Sequence, residues 1–157
     1  MSEQAIHLDG PDATQRLGRS LADQARPGDV LLLSGGLGAG KTTLARAFIG
    51  HIAGVEDVPS PTYTLMQSYR ALAGFDVLHA DLYRVNEPSE LVELGLEDAV
   101  DTGVLLIEWP DRLDQPLSDN RLEIALDFAP SGGQEQLRIA RVIAHGDWGA
   151  RLGAITI

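Results

Sequence analysis

A glycine-rich segment that ends in lysine and threonine is the part of this sequence best suited to chemistry. Residues 35–42 read GGLGAGKT and fit the pattern G-x-x-x-x-G-K-[ST] at every required position. Glycines allow backbone torsions that turn successive N–H groups inward, which forms a nest for an anion. Lys41 is suited to reach the β- and γ-phosphates of a nucleotide, and the Thr42 hydroxyl is suited to bind Mg²⁺. The segment therefore predicts a nucleoside triphosphate site.

The use of lysine in this chain supports that prediction. Of the 12 basic side chains eleven are arginine, and the only lysine is Lys41. A compact ammonium with three donors is not replaced by a planar guanidinium, so a lysine at this one position indicates a specific need. The context also suits the motif, because the apolar residues 30–33 precede it and a helical pattern begins at Lys41.

Two acidic residues are candidates to work beside this loop. Nucleotide sites of this kind use a carboxylate on a neighbouring strand to orient Mg²⁺ and its waters. Glu108 follows the apolar residues 104–107, and Asp81 ends another apolar run. Either could instead be an exposed acid at a strand end, since the chain has 23 acids. His79 is interpreted as a packed or hydrogen-bonded histidine and not as a catalyst.

The elements that must position these residues alternate between strand and helix signals. Residues 73–74 read Ala-Gly and lie between two strand-like segments, which predicts an antiparallel hairpin. The pattern favours an α/β fold of the three-layer P-loop NTPase-like type, with a mostly parallel sheet and an antiparallel hairpin at its edge. The strand-like segments are residues 5–8, 30–33, 62–71, 75–83, 104–107, 122–128 and 137–143, and the helical ones are residues 12–26, 41–53 and a segment from residue 87.

Composition limits the possible functions. A length of 157 residues suits one core, so we expect a single P-loop ATPase domain over residues 1–157. The formal charge of −11 disfavours unaided binding to a long nucleic acid, and the absence of cysteine excludes disulfides and thiol catalysis. No signal segment and no apolar run of about 20 residues is seen, so we expect a cytoplasmic protein with no membrane association.

The phosphate loop leaves open which nucleotide binds and whether the protein is an ATPase, a kinase or a nucleotide-gated binding module. A guanine-reading N-K-x-D motif needs a second lysine, which this chain lacks, so ATP is the expected nucleotide. A small-molecule kinase on the same fold is an alternative, although neither Arg112 nor Arg121 lies in a convincing lid sequence. A nucleotide-gated binding module, for which hydrolysis is incidental, is the third possibility.

Four motifs occur in an order that resembles the TsaE (YjeE) family of bacterial ATPases. They are GLGAGKTT at 36–43, SPTY at 60–63, HADLYR at 79–84 and IEWP at 107–110. The phosphate loop is shared by many ATPases, whereas the joint presence of the other three is much more specific. The resemblance covers about residues 12–128.

This resemblance implies an activity and partners. Family members are ATPases that convert ATP and water to ADP and phosphate, weakly when alone. They support threonylcarbamoylation (t6A) of tRNA adenosine 37 together with the TsaB–TsaD heterodimer. The cofactors implied are ATP and Mg²⁺. The partner complex would hold the tRNA, which agrees with the acidic charge of this chain.

The resemblance also carries roles to individual residues. Lys41, Asp81 and Glu108 are the implied catalytic residues, with Asp81 positioning the attacking water or a metal-bound water. Thr42 and Glu108 are the implied metal ligands, and Trp109 is the neighbour of the metal-binding acid. Residues 60–62 look like a switch-like segment near the γ-phosphate. The implied nucleotide-binding residues are Thr14 near the base, Gly36, Leu37, Gly38, Ala39, Gly40, Lys41, Thr42, Thr43 near the α-phosphate, Asp81 and Glu108.

The sequence also departs from the family pattern. Gly36 stands where many members carry an acid, which should leave the backbone nest intact. No family motif follows residue 129. Arg138 or Arg141 could face the nucleotide or the solvent, and solvent is the favoured interpretation. No arginine of the sequence is identified as the one that would stabilise charge on the transferred phosphoryl group. This suits a slow ATPase whose site is completed by a partner.

Overall fold

A seven-stranded sheet organises the chain in the computed structural model, which describes residues 2–36, 38–59, 61, 65–128 and 137–157. The strands are β1 (Ser2–Asp9), β2 (Val30–Ser34), β3 (Met66–Arg70), β4 (Asp76–Asp81), β5 (Gly103–Glu108), β6 (Arg121–Phe128) and β7 (Leu137–Ala144). The helices are α1 (Pro11–Gln24), α2 (Lys41–Ala53), α3 (Pro88–Leu94), α4 (Leu96–Val100) and α5 (Trp148–Arg151), with 3₁₀ turns at Pro110–Arg112 and Leu152–Ala154.

The strand order is β1-β7-β6-β2-β5-β4-β3. The four central strands, β6, β2, β5 and β4, run parallel to one another. Strand β3 pairs antiparallel with β4, and this confirms the predicted hairpin at one edge. The opposite edge is also antiparallel, because β7 pairs with β6 and β1 pairs with β7. The predicted α/β class is therefore confirmed, with a second antiparallel edge that was not expected.

The sheet is covered on both faces, which makes three layers. Strand β2 is an uninterrupted apolar run because both of its faces are buried. Leu31 and Leu33 belong to the cluster that includes the apolar faces of α1 and α2. Val30 and Leu32 belong to a separate cluster on the other face, which includes apolar residues of α3 and α4.

Helices α1 and α2 lie unusually close to each other. A Cβ atom added to Gly18 of α1 would lie 2.6 Å from the carbonyl oxygen of Leu44 in α2. A side chain of any size is therefore excluded at this crossing, and α1 packs directly against the backbone of α2. Within the described part of the chain, no helix is long and apolar enough to cross a bilayer.

Some predicted elements differ from those observed. The helix predicted from residue 87 is two short helices, because Gly95 between them adopts a left-handed conformation with φ of 69°. The strand predicted over residues 62–71 is observed as β3, and residues 62–64 lie outside the described residues. Helix α5 was not predicted, since four residues are too few for a periodic signal.

Candidate functional site

The glycine-rich loop joins the end of β2 to the start of α2. Gly35, Gly38 and Gly40 have φ values of 133°, 79° and 108°, which residues with a side chain rarely adopt. A Cβ atom on Gly35 would also clash with the carbonyl oxygen of Leu126 in β6. The predicted need for glycine is thus explained at these positions. Leu37, also predicted to bind nucleotide, lies outside the described residues.

The ammonium group of Lys41 is turned back onto this loop. Its Nζ atom donates hydrogen bonds to the carbonyl oxygens of Gly35, at 2.6 Å, and Gly36, at 2.9 Å. Burial lowers the pKa of Lys41, and the negative charges of Glu108 and Asp81 oppose that effect. The loop carbonyls therefore satisfy two of the three donors of the ammonium in this structure.

The two candidate acids lie side by side. Asp81 ends β4, Glu108 ends β5, and the parallel register pairs them directly. Both are buried. Because both strands run the same way, their carboxyl ends meet at one edge of the sheet, beside the loop that follows β2. The Oδ1 atom of Asp81 accepts a hydrogen bond from the backbone N–H of Tyr83 at 3.0 Å.

His79 is bonded to one of these acids. Its Nε2 atom lies 2.7 Å from Oε2 of Glu108, and the imidazole is fully buried. The interpretation of His79 as a hydrogen-bonded histidine is confirmed. The sequence contained no signal for its partner, because the two residues are 29 positions apart.

Trp109 follows Glu108 in a strained backbone conformation. Its φ and ψ are 60° and 55°, in the left-handed region that non-glycine residues seldom occupy. The indole ring lies 4.2 Å from Lys41 Nζ and 4.8 Å from the ring of Tyr83, measured to the ring centres. The backbone N–H of Trp109 donates to the backbone carbonyl of Leu33 at 3.2 Å. Trp109 therefore packs against the loop lysine and joins β5 to the end of β2.

A cavity of about 300 Å³ opens between the loop and the two acids. It brings together all three predicted catalytic residues and both predicted metal ligands. Its lining residues are Gly38, Gly40, Lys41, Thr42, Thr43, Asp81, Tyr83, Glu108 and Trp109.

A second cavity, of about 540 Å³, lies on the other side of the loop. It contains Thr14 and Thr43, the residues predicted near the base and the α-phosphate. Gly38, Gly40 and Thr43 line both cavities, so the two spaces share one wall. The remaining lining residues are Gly10, Pro11, Phe128 and Arg138.

The position of Arg138 corrects the favoured one of its two interpretations, which was that it faces solvent. Its guanidinium lies 4.0 Å from the centre of the Phe128 ring, and Nη2 donates to the carbonyl of Gly38 at 3.4 Å. The antiparallel register of β6 and β7 pairs Phe128 with Arg138, which places both at the larger cavity. Arg141, on the same strand, is exposed as predicted. The alternation of apolar and polar residues along β7 did not predict that Arg138 lies at a cavity and Arg141 in solvent. That pattern does not show which strand lies beside β7.

The remaining predicted residues are placed as follows. Ala39 is buried and Gly36 is exposed. Of the predicted switch-like segment, only Pro61 is among the described residues, and its carbonyl accepts a hydrogen bond from the N–H of Leu65 at 2.8 Å.

The smaller cavity has the donor set that Mg²⁺ uses beside a nucleotide. Among the described residues, no three histidine, cysteine or acidic side chains form a cluster that could hold a metal ion. Mg²⁺ seldom needs such a cage, because it usually binds one or two carboxylates and keeps waters and phosphate oxygens as its other ligands. The Thr42 hydroxyl and the Glu108 carboxylate line one cavity and therefore fit this role.

The sheet order, the loop after β2 and the two acids at the ends of β4 and β5 define an α/β protein of the P-loop NTPase-like fold. A sequence model of the family described as "Threonylcarbamoyl adenosine biosynthesis protein TsaE" matches residues 8–136. The chain belongs to the TsaE family, so the resemblance drawn from its motifs is confirmed.

Individual relatives agree with this membership. The chain is 38% identical to the tRNA threonylcarbamoyladenosine biosynthesis protein TsaE of Rickettsia felis, over 88% of this chain and 78% of the relative. It is 36% identical to the Bacillus subtilis protein of that name, over 80% of this chain and 78% of the relative. A crystal structure of Bacillus subtilis YdiB superposes with a TM-score of 0.77 and 28% identity, covering 97% of this chain and 92% of that one.

Proposed function

We propose that this protein binds Mg-ATP and hydrolyses it slowly in the cytoplasm, in support of threonylcarbamoylation of tRNA adenosine 37 by the TsaB–TsaD complex. Its family is named for the biosynthesis of that modified nucleoside. The observation that carries the proposal is the convergence of Lys41, Thr42, Asp81 and Glu108 on one cavity beside the glycine-rich loop.

The phosphates would lie in the smaller cavity. The N-terminus of α2 lies at that position, where its unpaired N–H groups and the positive end of the helix dipole would attract an anion. Lys41 would exchange its bonds with the Gly35 and Gly36 carbonyls for bonds with phosphate oxygens. Thr42 and Glu108 would hold Mg²⁺, which neutralises charge on the phosphates. Asp81, paired in register with Glu108, would orient the attacking water.

The nucleoside would lie in the larger cavity. Since Thr43 lines both cavities, a nucleotide can extend from one to the other across the loop, with its α-phosphate near Thr43. Thr14 and Phe128 provide walls for the base and sugar. The guanidinium of Arg138, held on the Phe128 ring, provides a planar cation beside them.

A separate observation, the scarcity of cations in the smaller cavity, supports the proposal that hydrolysis depends on a partner. Among the described residues lining the smaller cavity, Lys41 is the one cation, and no arginine is present there. P-loop enzymes of this kind gain a factor of about 10³–10⁵ in rate when an arginine reaches the transferred phosphoryl group. A partner that supplies or orders such a group would raise a slow intrinsic rate. The net charge of −11 makes an independent grip on tRNA unfavourable.

The test is Mg-ATP hydrolysis measured by phosphate release, for the protein alone and with its cognate TsaB–TsaD pair. We expect low activity alone that rises with the pair. Lys41→Ala should abolish productive nucleotide binding, and Glu108→Ala should weaken hydrolysis and its dependence on Mg²⁺. Glu93→Ala, which changes an exposed acid of α3, is the matched control.

Each failure has a distinct meaning. Phosphate that appears in a metabolite instead of in solution would identify a kinase. Unchanged activity in Glu108→Ala would remove that residue from the metal role. Absence of nucleotide binding by the unaltered protein would overturn the proposal as a whole.

A further inference from the structure

A buried histidine lies directly behind the acid proposed to bind Mg²⁺. Residues alternate along β4, so His79 and Asp81 project from the same face of the sheet. Asp81 is paired with Glu108, and His79 is paired with Leu106, two positions earlier on β5. His79 is therefore the diagonal neighbour of Glu108, within reach of its carboxylate but farther from the sheet edge.

The hydrogen bond between them has a defined direction. An ionised carboxylate only accepts, so the proton of the 2.7 Å contact belongs to His79 Nε2 and is donated to Glu108 Oε2. The other ring nitrogen, Nδ1, is buried and has no protein partner among the described residues. The imidazole is thus held by its bond to Glu108, and one oxygen of Glu108 is committed to it.

Glu108 needs such an anchor because of what surrounds it. Its side chain has three rotatable bonds, and its negative charge attracts the Lys41 ammonium in the same cavity. A carboxylate that turned toward Lys41 would neutralise the group intended for phosphate. Asp81 is shorter and is already fixed by the N–H of Tyr83. The Glu108 side chain is held instead by the hydrogen bond that it accepts from His79 on the neighbouring strand β4.

We propose that His79 is a positioning residue, which fixes Glu108 through Oε2 so that Oε1 is presented to the Mg²⁺ of bound nucleotide. The inference rests on the proposed nucleotide function and adds to it a residue that touches neither nucleotide nor metal. Partners behind metal-binding carboxylates and histidines commonly alter metal affinity or activity by about 10- to 100-fold when removed.

Two variants separate positioning from packing. In His79→Gln, the amide nitrogen stands at the place of Nε2 and can still donate to Glu108. In His79→Asn, the amide nitrogen stands at the place of Nδ1, which has no protein partner. Both changes put an amide into the same buried space, and His79→Asn also removes a methylene. A packing defect from that loss would weaken binding in EDTA as well as binding with Mg²⁺, which separates it from a loss of positioning.

The measurement is binding of a fluorescent, non-hydrolysable ATP analogue, titrated with Mg²⁺ and repeated in excess EDTA. We expect His79→Asn to raise the Mg²⁺ concentration for half-maximal tight binding by about 10- to 100-fold. His79→Gln should remain close to the unaltered protein, and binding in EDTA should be the same for all three. In a Glu108→Gln background, His79→Asn should have no additional effect.

Equal Mg²⁺ dependence in the unaltered protein and both variants would overturn the inference, and so would equal losses in Gln and Asn. A separate measurement uses the unaltered protein, so it does not depend on whether a variant folds: ¹⁵N NMR should show His79 with a proton on Nε2. An unprotonated Nε2 would overturn the inference. If the unaltered protein fails to bind the analogue, the proposed function fails instead.

Discussion

Lys41 and Trp109 are in contact: the ammonium Nζ lies 4.2 Å from the centre of the indole ring. On its other side, the same ammonium donates to two carbonyl oxygens of the loop. The only lysine of the chain is therefore enclosed by an aromatic face and by backbone oxygens, with little access to water. Loss of hydration disfavours the charged form of an amine, which is why its pKa falls.

The first prediction concerns the ionisation of Lys41. Because it is the sole lysine, ¹³C-lysine labelling gives one side-chain signal, whose titration reports this pKa directly. We expect a midpoint below 10.5. The unfolded chain then binds the proton more tightly than the folded protein, so the contribution of Lys41 to the free energy of unfolding rises with pH between the two pKa values.

The same signal tests the influence of the neighbouring acid. The charge of Glu108 raises the pKa of Lys41 against the effect of burial. Glu108→Gln should therefore move the midpoint further down, whereas Glu93→Gln, which changes an exposed acid of α3, should leave it unchanged. A midpoint at or above 10.5 in the unaltered protein, or an upward shift in Glu108→Gln, would contradict this description of the site.

The second prediction uses two adjacent glycines with different surroundings. Gly35 has a φ of 133°, and a side chain there would clash with the carbonyl of Leu126. Gly36 has no such torsion, and a Cβ atom there would meet nothing within 4 Å. We expect Gly35→Ala to lower the free energy of unfolding by about 2–4 kcal/mol and Gly36→Ala by less than about 0.5 kcal/mol. Urea denaturation measures both, and similar costs would show that the loop geometry is wrong.

The third prediction concerns two arginines of β7. Arg138 lines the larger cavity, and Arg141 is exposed three residues later. Hydrogen bonds that involve a charged group contribute about 1.5–3 kcal/mol, so losing one such bond to nucleotide should weaken ATP binding by at least about tenfold. Isothermal titration calorimetry should show this loss in Arg138→Ala and not in Arg141→Ala. Equal affinities would place the nucleoside away from β7.

The fourth prediction concerns a buried ion pair far from both cavities. Arg151 of α5 donates to both oxygens of Asp29, at 2.6 and 2.9 Å, and both side chains are buried. Asp29→Asn leaves a buried guanidinium without its counter-charge and should cost about 3–5 kcal/mol in chemical denaturation. Replacing both residues, Asp29→Leu with Arg151→Met, should recover much of that loss.

An exposed pair provides the comparison. Arg70 and Asp76 form a 2.9 Å ion pair in which both side chains are more than half exposed. Arg70→Ala should therefore cost less than about 1 kcal/mol. If Asp29→Asn costs no more than Arg70→Ala, the Asp29 pair does not anchor the C-terminal helix.

Local patterns were enough to predict the centre of the fold and the core of the site. The predicted bounds of α2 match the observed helix, because the motif requires a helix to begin after its loop and the apolar spacing of residues 44–52 extends that helix to its end. Asp81 and Glu108 were both identified from their positions at the ends of apolar runs. Parallel neighbours bring such ends to the same edge of a sheet without further information.

Long-range relationships could not be predicted in this way. The bonds between His79 and Glu108 and between Asp29 and Arg151 join residues 29 and 122 positions apart. Period-two alternation shows which residues share a face, but it does not show which strand lies alongside. Solvent was the favoured interpretation of Arg138 for that reason, since its surroundings depend on the register with Phe128.

The contact at Gly18 joins α1 to α2 with no layer of side chains between their backbones. Close-packed groups of this kind transmit strain from one helix to the other. Thr14 of α1 and Thr43 of α2 both line the larger cavity, so one wall of that cavity is built on this closely packed helix pair. A side chain introduced at Gly18 would therefore alter the shape of the cavity without being part of its lining.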